Sequence, residues 1–239
     1  RVFPLASVTK PIVAWSALVA VERGLIGLDD PAGPEGATIR HLLAHASGLP
    51  FEGRRPVAAP GKRRIYSNEG FNVVGETIER ATGVSVVQWV RASVFEPLGM
   101  SSADIQGSPA HAGLASADDL SLFGAELARP TLVSAPLAAL AGLSQFPALA
   151  GVVPGYGRFA PCPWGLGVEI RGEKSPHWTA PDASARTIGH FGQSGSFVWA
   201  DRDLGASAAF VGAQPFGPWH HDNWASLNAS LLALARERS

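Results

Sequence analysis

Three short groups of residues in this chain have the types and spacings that hydrolytic chemistry needs. The first is Ser7-x-x-Lys10, in the stretch "SVTK". Residues three apart share a helix face, so the Ser hydroxyl and the Lys amine can meet. A hydroxyl is a weak nucleophile until a base takes its proton. Lysine can be that base only where desolvation or a neighbouring cation lowers its pKa. The apolar spacing that follows, Ile12, Trp15 and Val19, meets the first condition. The backbone N–H of Ser7, in the first helical turn, has no intrahelical partner and lies at the positive end of the helix, where it can donate to a developing oxyanion. Alone the pattern is weak, because Ser and Thr are ordinary helix-starting residues and Ser-x-x-Lys recurs by chance.

The second group is Tyr66-Ser67-Asn68, at a loop-to-helix boundary. Beside a protonated Lys10 the Tyr66 phenolate is favoured, so Tyr66 could relay or accept the Ser7 proton. Asn68 could orient a substrate carbonyl or the Lys amine. The plainer alternative is that Asn68 caps the helix and Tyr66 packs against the loop. The third group is Gly189-His190-Phe191-Gly192-Gln193-Ser194-Gly195, which ends one strand and turns into the next. Glycines let the backbone approach a ligand closely, and a strand-edge N–H can complete an oxyanion hole. A lone His at a strand end is otherwise a structural hydrogen-bonding residue.

The elements that must position these groups are legible from periodicity and caps. A buried helix is predicted from Ser7 to about Arg23, closed by Gly24, with Pro11 confining Ser7 to its first turn. "TIRHLLAHASG" predicts a short helix capped by Thr38 and stopped near Gly48. "NEGFNVVGETIERATG" predicts a helix ending at Gly83, and "SVVQWVRASVFEPLGM" one capped at Ser85 and ended by Pro97. "SADDLSLFGAELA" carries the capping pair Ser116 and Asp119. After about residue 150 the runs "WGLGVEI", "ARTIGH", "SFVWAD" and "GASAAFVGA" predict antiparallel strands, followed by a helix starting near Asp222. Helices first and strands later imply an α+β protein.

Composition narrows the partners. Hydrophobic residues make up 46% and charged residues 16% of the 239, as in a compact globular chain. A net charge of -1 argues against nucleic acid, and the longest apolar run, Ile12 to Val21, is too short for a membrane span. One cysteine, Cys162, precludes an internal disulfide and leaves the redox compartment open. The expectation is a cytoplasmic setting, with an extracytoplasmic one left open because the chain begins on Arg1 rather than Met. Arginine dominates the 19 cationic residues, and one of the few lysines is Lys10, in the most apolar helix. Lysine can lose its proton when buried and arginine cannot.

In order and character the three groups resemble the serine hydrolases that include class C β-lactamases, DD-peptidases and related esterases. "LASVTK", "LDDP", "TIRHLLAHASGLP", "PGKRRIYSNEGFNVVGETIERATG", "VFEPLGM", "GLASADDLSLF", "WGLGV" and "GHFGQSG" carry the resemblance, from Arg1 to about Gly212. It implies a β-lactamase/transpeptidase-like fold: an antiparallel sheet flanked by helices, with an all-helical subdomain. In a single domain 1–239 the helical part would run over about 25–150, and 1–24 with 151–239 would form the helix-sheet part. Ser7 would be the acylated nucleophile, with Lys10 or Tyr66 as its base. Asn68 would hold the acyl group, His190 and Gly192 would line the strand beside the cleft, and the N–H groups of Gln193 and Ser7 would form the oxyanion hole.

Two departures shape the expectation. His190 stands where the family's β-lactamases carry a Lys that binds the substrate carboxylate, and a neutral His weakens anion recognition. This favours a carboxylesterase on small acyl esters, with a β-lactamase or D-amino-acid peptidase as the alternative. Relatives also carry a helix and strands ahead of the Ser-x-x-Lys helix. Their apparent absence leaves a sheet edge that could pair two copies of the chain. No cofactor or metal is expected. A zinc site from His41, His45 and His220-His221-Asp222 is the rival hydrolase, and a non-catalytic penicillin-binding-like relative is the second rival. The basic loop "GRRPVAAPGKRR" either steers anionic substrates or is simply solvated, and Trp164, Trp178, Trp199, Phe216 and Trp219 either line an acyl pocket or belong to the core.

Overall fold

Strand β1 (Phe3–Pro4) leads through a 3-10 turn, Ala6–Val8, into α1 (Thr9–Glu22) in a computed structural model that describes residues 1–237. Every residue from Val8 to Ala20 is buried, as an all-round apolar helix requires. α2 (Ile39–Leu43) starts at Thr38, whose hydroxyl accepts the His41 N–H. It stops well short of Gly48, because the backbone turns left-handed at His45, with φ 54°. α3 (Asn68–Thr82) closes on Gly83 at φ 74°. Its cap is Ser67, not Asn68: the Ser67 hydroxyl accepts the Gly70 N–H, which leaves the Asn68 amide free for the site.

α4 (Val86–Val90) begins at the Ser85–Gln88 capping box and continues through a π turn, Arg91–Phe95, into α5 (Glu96–Leu98). Pro97 therefore does not end this helix. It has no N–H for the Ser93 carbonyl and would crowd it, and the widened turn accommodates both. β2 (Asp104–Ile105) and β3 (Gly113–Ala115) form a small antiparallel sheet with β1, in the order β1-β3-β2. α6 (Ala117–Ala128) carries the expected Ser116–Asp119 box. α7 (Ala135–Ala141) was invisible to periodicity, being short and almost uniformly apolar.

The hairpin β4 (Gly151–Val153) and β5 (Gly157–Phe159) precedes the main sheet, β6 (Glu169–Ile170), β7 (Ile188–Phe191), β8 (Phe197–Asp201) and β9 (Ala206–Phe210), antiparallel in that order. Of "WGLGVEI" only Glu169 and Ile170 are strand. Gly167, at φ 80°, turns the preceding loop onto α1 so closely that a Cβ would lie 2.0 Å from that of Ala14. α8 (Pro218–Glu237) starts before Asp222, with Pro218 in its first turn. Among the described residues β9 pairs with β8 alone, and no helix is long and apolar enough to cross a membrane.

β8 shows why the sheet sits where it does. Val198 and Ala200 join the core built on α1 and α6, while Phe197 and Trp199 face α8 with Trp224. This period-2 alternation is that of a strand buried on both faces. On β7 the same alternation puts His190, paired with Val198, on the α1 side. The α1 helix is tied to α6 by Glu126, a buried carboxylate. It accepts from Trp15 Nε1 at 2.9 Å, Thr131 N at 2.8 Å, Thr131 Oγ1 at 2.7 Å and Leu132 N at 3.0 Å. Glu126→Ala leaves the buried Trp15 indole and three partly buried donors without their acceptor and should lower unfolding free energy by about 2–4 kcal/mol. Glu126→Gln, which keeps an acceptor, should cost less in urea titrations of the two variants.

Candidate active site

The turn that presents Ser7 is held from several sides. Leu5 donates its N–H to Gly113 O at 2.8 Å, and Thr9 Oγ1 accepts the Gly113 N–H at 2.8 Å while donating to Ala6 O at 2.6 Å. Ala6 itself has φ 45°, a left-handed conformation that residues with a Cβ disfavour and that persists only when its surroundings impose it. On the other side Gly192 presses against this turn: a Cβ there would lie 2.3 Å from Leu5 O and 3.1 Å from Ser7 N. Only glycine permits that approach. The backbone N–H groups of Ser7 and Gln193 have no acceptor among the described residues.

Lys10 is 0% exposed, and its Nζ lies 3.3 Å from Ser7 Oγ, 2.6 Å from Asn68 Oδ1 and 3.0 Å from Ala110 O. Burial lowers its pKa to about 7, and no carboxylate bonds to it to restore the charge. Asn68 Oδ1 and Ala110 O accept from the amine, and Nζ also reaches Ser7 Oγ, where the deprotonated form would present its lone pair. Ala110 was missed from the sequence, because a backbone carbonyl leaves no mark in residue type.

Tyr66 Oη lies 3.4 Å from His190 Nε2. Burial pushes the Tyr66 pKa up, against the opposing influence of the nearby Ser7 hydroxyl. Of the two bases the sequence left open, burial therefore disfavours the Tyr66 phenolate and favours the deprotonated Lys10 amine. His190 Nδ1 donates to Phe191 O at 2.6 Å, which makes Nε2 the acceptor for Tyr66. Burial, reinforced by the charge of Lys10, lowers the His190 pKa to about 4. It is neutral at pH 7.

Beside Ser7 opens a cavity of about 90 Å³ lined mainly by Phe51, Val153, Pro154, Trp164 and Phe191, with Tyr66, His190 and Gln193 at the reacting end. Of the aromatics singled out in the sequence only Trp164 lines it. Trp178, Trp199 and Phe216 belong to the second core around α8, and Trp219 is 57% exposed. Phe51, which the sequence did not single out, overhangs the Tyr66 ring at 6.1 Å. Glu169 also borders the cavity. Burial alone would raise its pKa, but Lys174 at 2.8 Å and His177 at 3.0 Å hold it well below the usual range.

The basic loop is neither free nor aimed at the site throughout. Arg54 pairs with Glu69 and Glu76, and Arg64 is buried, donating to the carbonyls of Ala44, Gln145 and Phe146. The histidines of the imagined zinc site serve separate elements: His41 stacks on Phe146, His45 packs behind Tyr66, and His220 packs on Phe216 and Trp224. Among the described residues no three His, Cys, Asp or Glu side chains come together as metal ligands would.

Residues 1–232 match the family described as Beta-lactamase. The crystal structure of a beta-lactamase from Mycobacterium bovis superposes with a TM-score of 0.96 at 47% identity, over 98% of this chain and 88% of that one. Penicillin-binding protein 4* of Bacillus subtilis is 32% identical over 131 residues, 41% of this chain and 29% of its own. Esterase EstB of Burkholderia gladioli is 35% identical over 145 residues, 41% of this chain and 37% of its own. The matched part thus spans about a third of these two curated relatives.

The state of Lys10 has a consequence for stability. Its pKa is about 7 when folded and near the ordinary 10.5 when unfolded. Between these values the unfolded chain binds the extra proton, so this residue's contribution to stability rises with pH across that window. Urea midpoints measured at pH 7 and pH 9 should show the rise in the parent protein, and Lys10→Met should lose that component.

Proposed function

The chain belongs to the beta-lactamase family, and from that premise we propose that it is a serine hydrolase working through an acyl-enzyme on Ser7, with small uncharged acyl esters as its substrates. The observation that carries the reading is the pairing of a desolvated Lys10, 3.3 Å from Ser7 Oγ, with a cleft that offers a substrate carboxylate no cation. Neutral Lys10 takes the Ser7 proton as Oγ attacks the ester carbonyl carbon. The carbonyl oxygen, now negative, is received by the N–H groups of Ser7 and Gln193. The tetrahedral intermediate collapses, the C–O bond to the alcohol breaks, and the leaving alkoxide takes a proton from Lys10 directly or through the Tyr66 hydroxyl. Water then attacks the acyl-enzyme by the same route in reverse, regenerating Ser7.

Substrate class follows from charge and size. His190 is neutral, Lys174 is committed to Glu169, and Lys10 to its own ligands. A carboxylate entering this cavity would find no unpaired cation to meet it, and its burial would cost several kcal/mol, on the order of a desolvated ion. A cavity of about 90 Å³ with mainly apolar walls suits a short acyl chain. The likeness to Esterase EstB supports this reading.

A second reading, hydrolysis of β-lactams or D-amino-acid peptides, draws its support from the relatives. The 47% identical structure is that of a beta-lactamase, and another relative is a penicillin-binding protein. Both readings require the same nucleophile and differ in the acyl group.

Intact mass after incubation with a fluorophosphonate should show one adduct, mapping to Ser7 and absent from Ser7→Ala. Among p-nitrophenyl esters kcat/KM should peak near butyrate and fall by about tenfold or more at octanoate. A β-lactam that acylates Ser7 faster than any short ester would transfer the assignment to the second reading. Well-folded protein that fluorophosphonate leaves unlabelled would sink both.

A further inference from the structure

Behind the site, a left-handed turn in the helical part is made by a residue poorly suited to it. His45 follows Ala44, the last residue capping α2, with φ 54°. Helices commonly end there on a left-handed Gly or Asn, and other side chains are disfavoured. His45 is also 1% exposed, and burial, with the Arg64 guanidinium nearby, keeps its imidazole neutral. A buried ring in a strained backbone position calls for a role that glycine could not fill.

Its contacts converge on one segment. His45 Nδ1 accepts the backbone N–H of Ser67 at 3.1 Å, and its carbonyl accepts that of Ile65 at 2.8 Å. An amide N–H can only donate, so Nδ1 is the bare nitrogen and Nε2 carries the proton. The ring lies 4.5 Å from that of Tyr66, 5.4 Å from Phe71 and, nearly perpendicular, 4.9 Å from Trp164. One residue thus bonds the chain on both sides of Tyr66 and packs on Tyr66 itself. The next residue along, Asn68, holds Lys10 at 2.6 Å.

We propose that His45 is a positioning residue, whose Nδ1 acceptor fixes the Tyr66-Ser67-Asn68 segment so that the phenol and the amide stay aligned with Ser7 and Lys10. The other N–H groups at this helix start have their own acceptors: those of Asn68 and Glu69 donate to Phe51 O, and that of Gly70 to Ser67 Oγ. Only the Ser67 N–H depends on His45. The proposal rests on the reading of Ser7 as the acylated residue, and it makes the acceptor, not the bulk of the ring, the decisive feature.

Two substitutions separate the possibilities. His45→Asn tolerates the left-handed turn and keeps an acceptor, and His45→Gly tolerates the turn without one. Fluorophosphonate acylation of Ser7 should proceed in His45→Asn within about threefold of the parent rate, and in His45→Gly at least about thirtyfold slower, as small misplacements of catalytic groups produce. With an ester substrate the loss in His45→Gly should fall on kcat and leave KM nearly unchanged. Equal rates in the two folded variants would overturn the proposal. If His45→Gly does not fold, His45→Asn decides: a rate near the parent's supports the role, and a folded variant below about a tenth of it, or one that fails to fold, overturns it. A parent protein that is not labelled would refute the hydrolase reading instead. Amide hydrogen exchange at Ser67 then settles the clamp: protected in the parent and His45→Asn but fast in His45→Gly supports it, and equal protection in all three overturns it.

Discussion

A lysine amine sealed from water and kept away from every carboxylate is the constraint on which the rest of this structure depends. Ionising a buried group costs several kcal/mol unless a counter-charge offsets it, so Lys10 carries its proton only loosely. The same protein shows the opposite solution. Lys174 is equally buried, yet it lies 2.8 Å from Glu169 and forms an ion pair. One residue type has been given two chemical characters by its neighbours alone. At Lys10 those neighbours are neutral acceptors, Asn68 Oδ1 and Ala110 O, which hold the amine in place without supplying charge.

Keeping that amine dry and aimed explains much of the surrounding architecture. α1 is buried from Val8 to Ala20, pressed by the Gly167 turn on one side and tied through Trp15 to Glu126 on another. The strained Ala6 and the contact at Gly192 bring two orphan N–H groups, from different ends of the chain, beside one hydroxyl. Strain at Ala6 and His45 is found where function would need rigidity: the Ala6 carbonyl is held by the Thr9 hydroxyl, itself bonded by Gly113, and His45 is bonded by Ser67. The apolar cavity and the neutral His190 extend the same theme: the cleft repels charge, which is the basis for proposing uncharged esters.

Much of the fold could be read in advance where local physics is decisive. Thr38, Ser85 and Ser116 cap helices as their side chains dictate, and β7, β8 and β9 follow the turn residues that bound them. Errors arose where a longer-range demand overrode the local signal. Asn68 is a good cap by type, but Ser67 takes that task because Lys10 claims the Asn68 amide. Pro97 is a helix breaker by type, but a π turn absorbs it. Arg64 stands in a loop that reads as solvated, yet three carbonyls gather around its buried guanidinium.

The same division holds at the site. Ser7, Lys10, Tyr66, Asn68, His190, Gly192 and Gln193 could be named from sequence because nucleophile, amine, phenol and glycine-rich turn each have a chemical signature in their residue types. Which protonation states they adopt could not, since a pKa is set by burial and by charges that approach from elsewhere in the chain. The sequence left open a tyrosinate beside a lysine cation or a free amine beside a phenol, and burial of both groups favours the second. Side-chain chemistry and local backbone preference suffice to give the candidate reagents and the order of most elements. Tertiary structure alone decided their charge, their alignment and the shape of the space before them, because those depend on groups as far apart in the chain as Lys10 and Ala110.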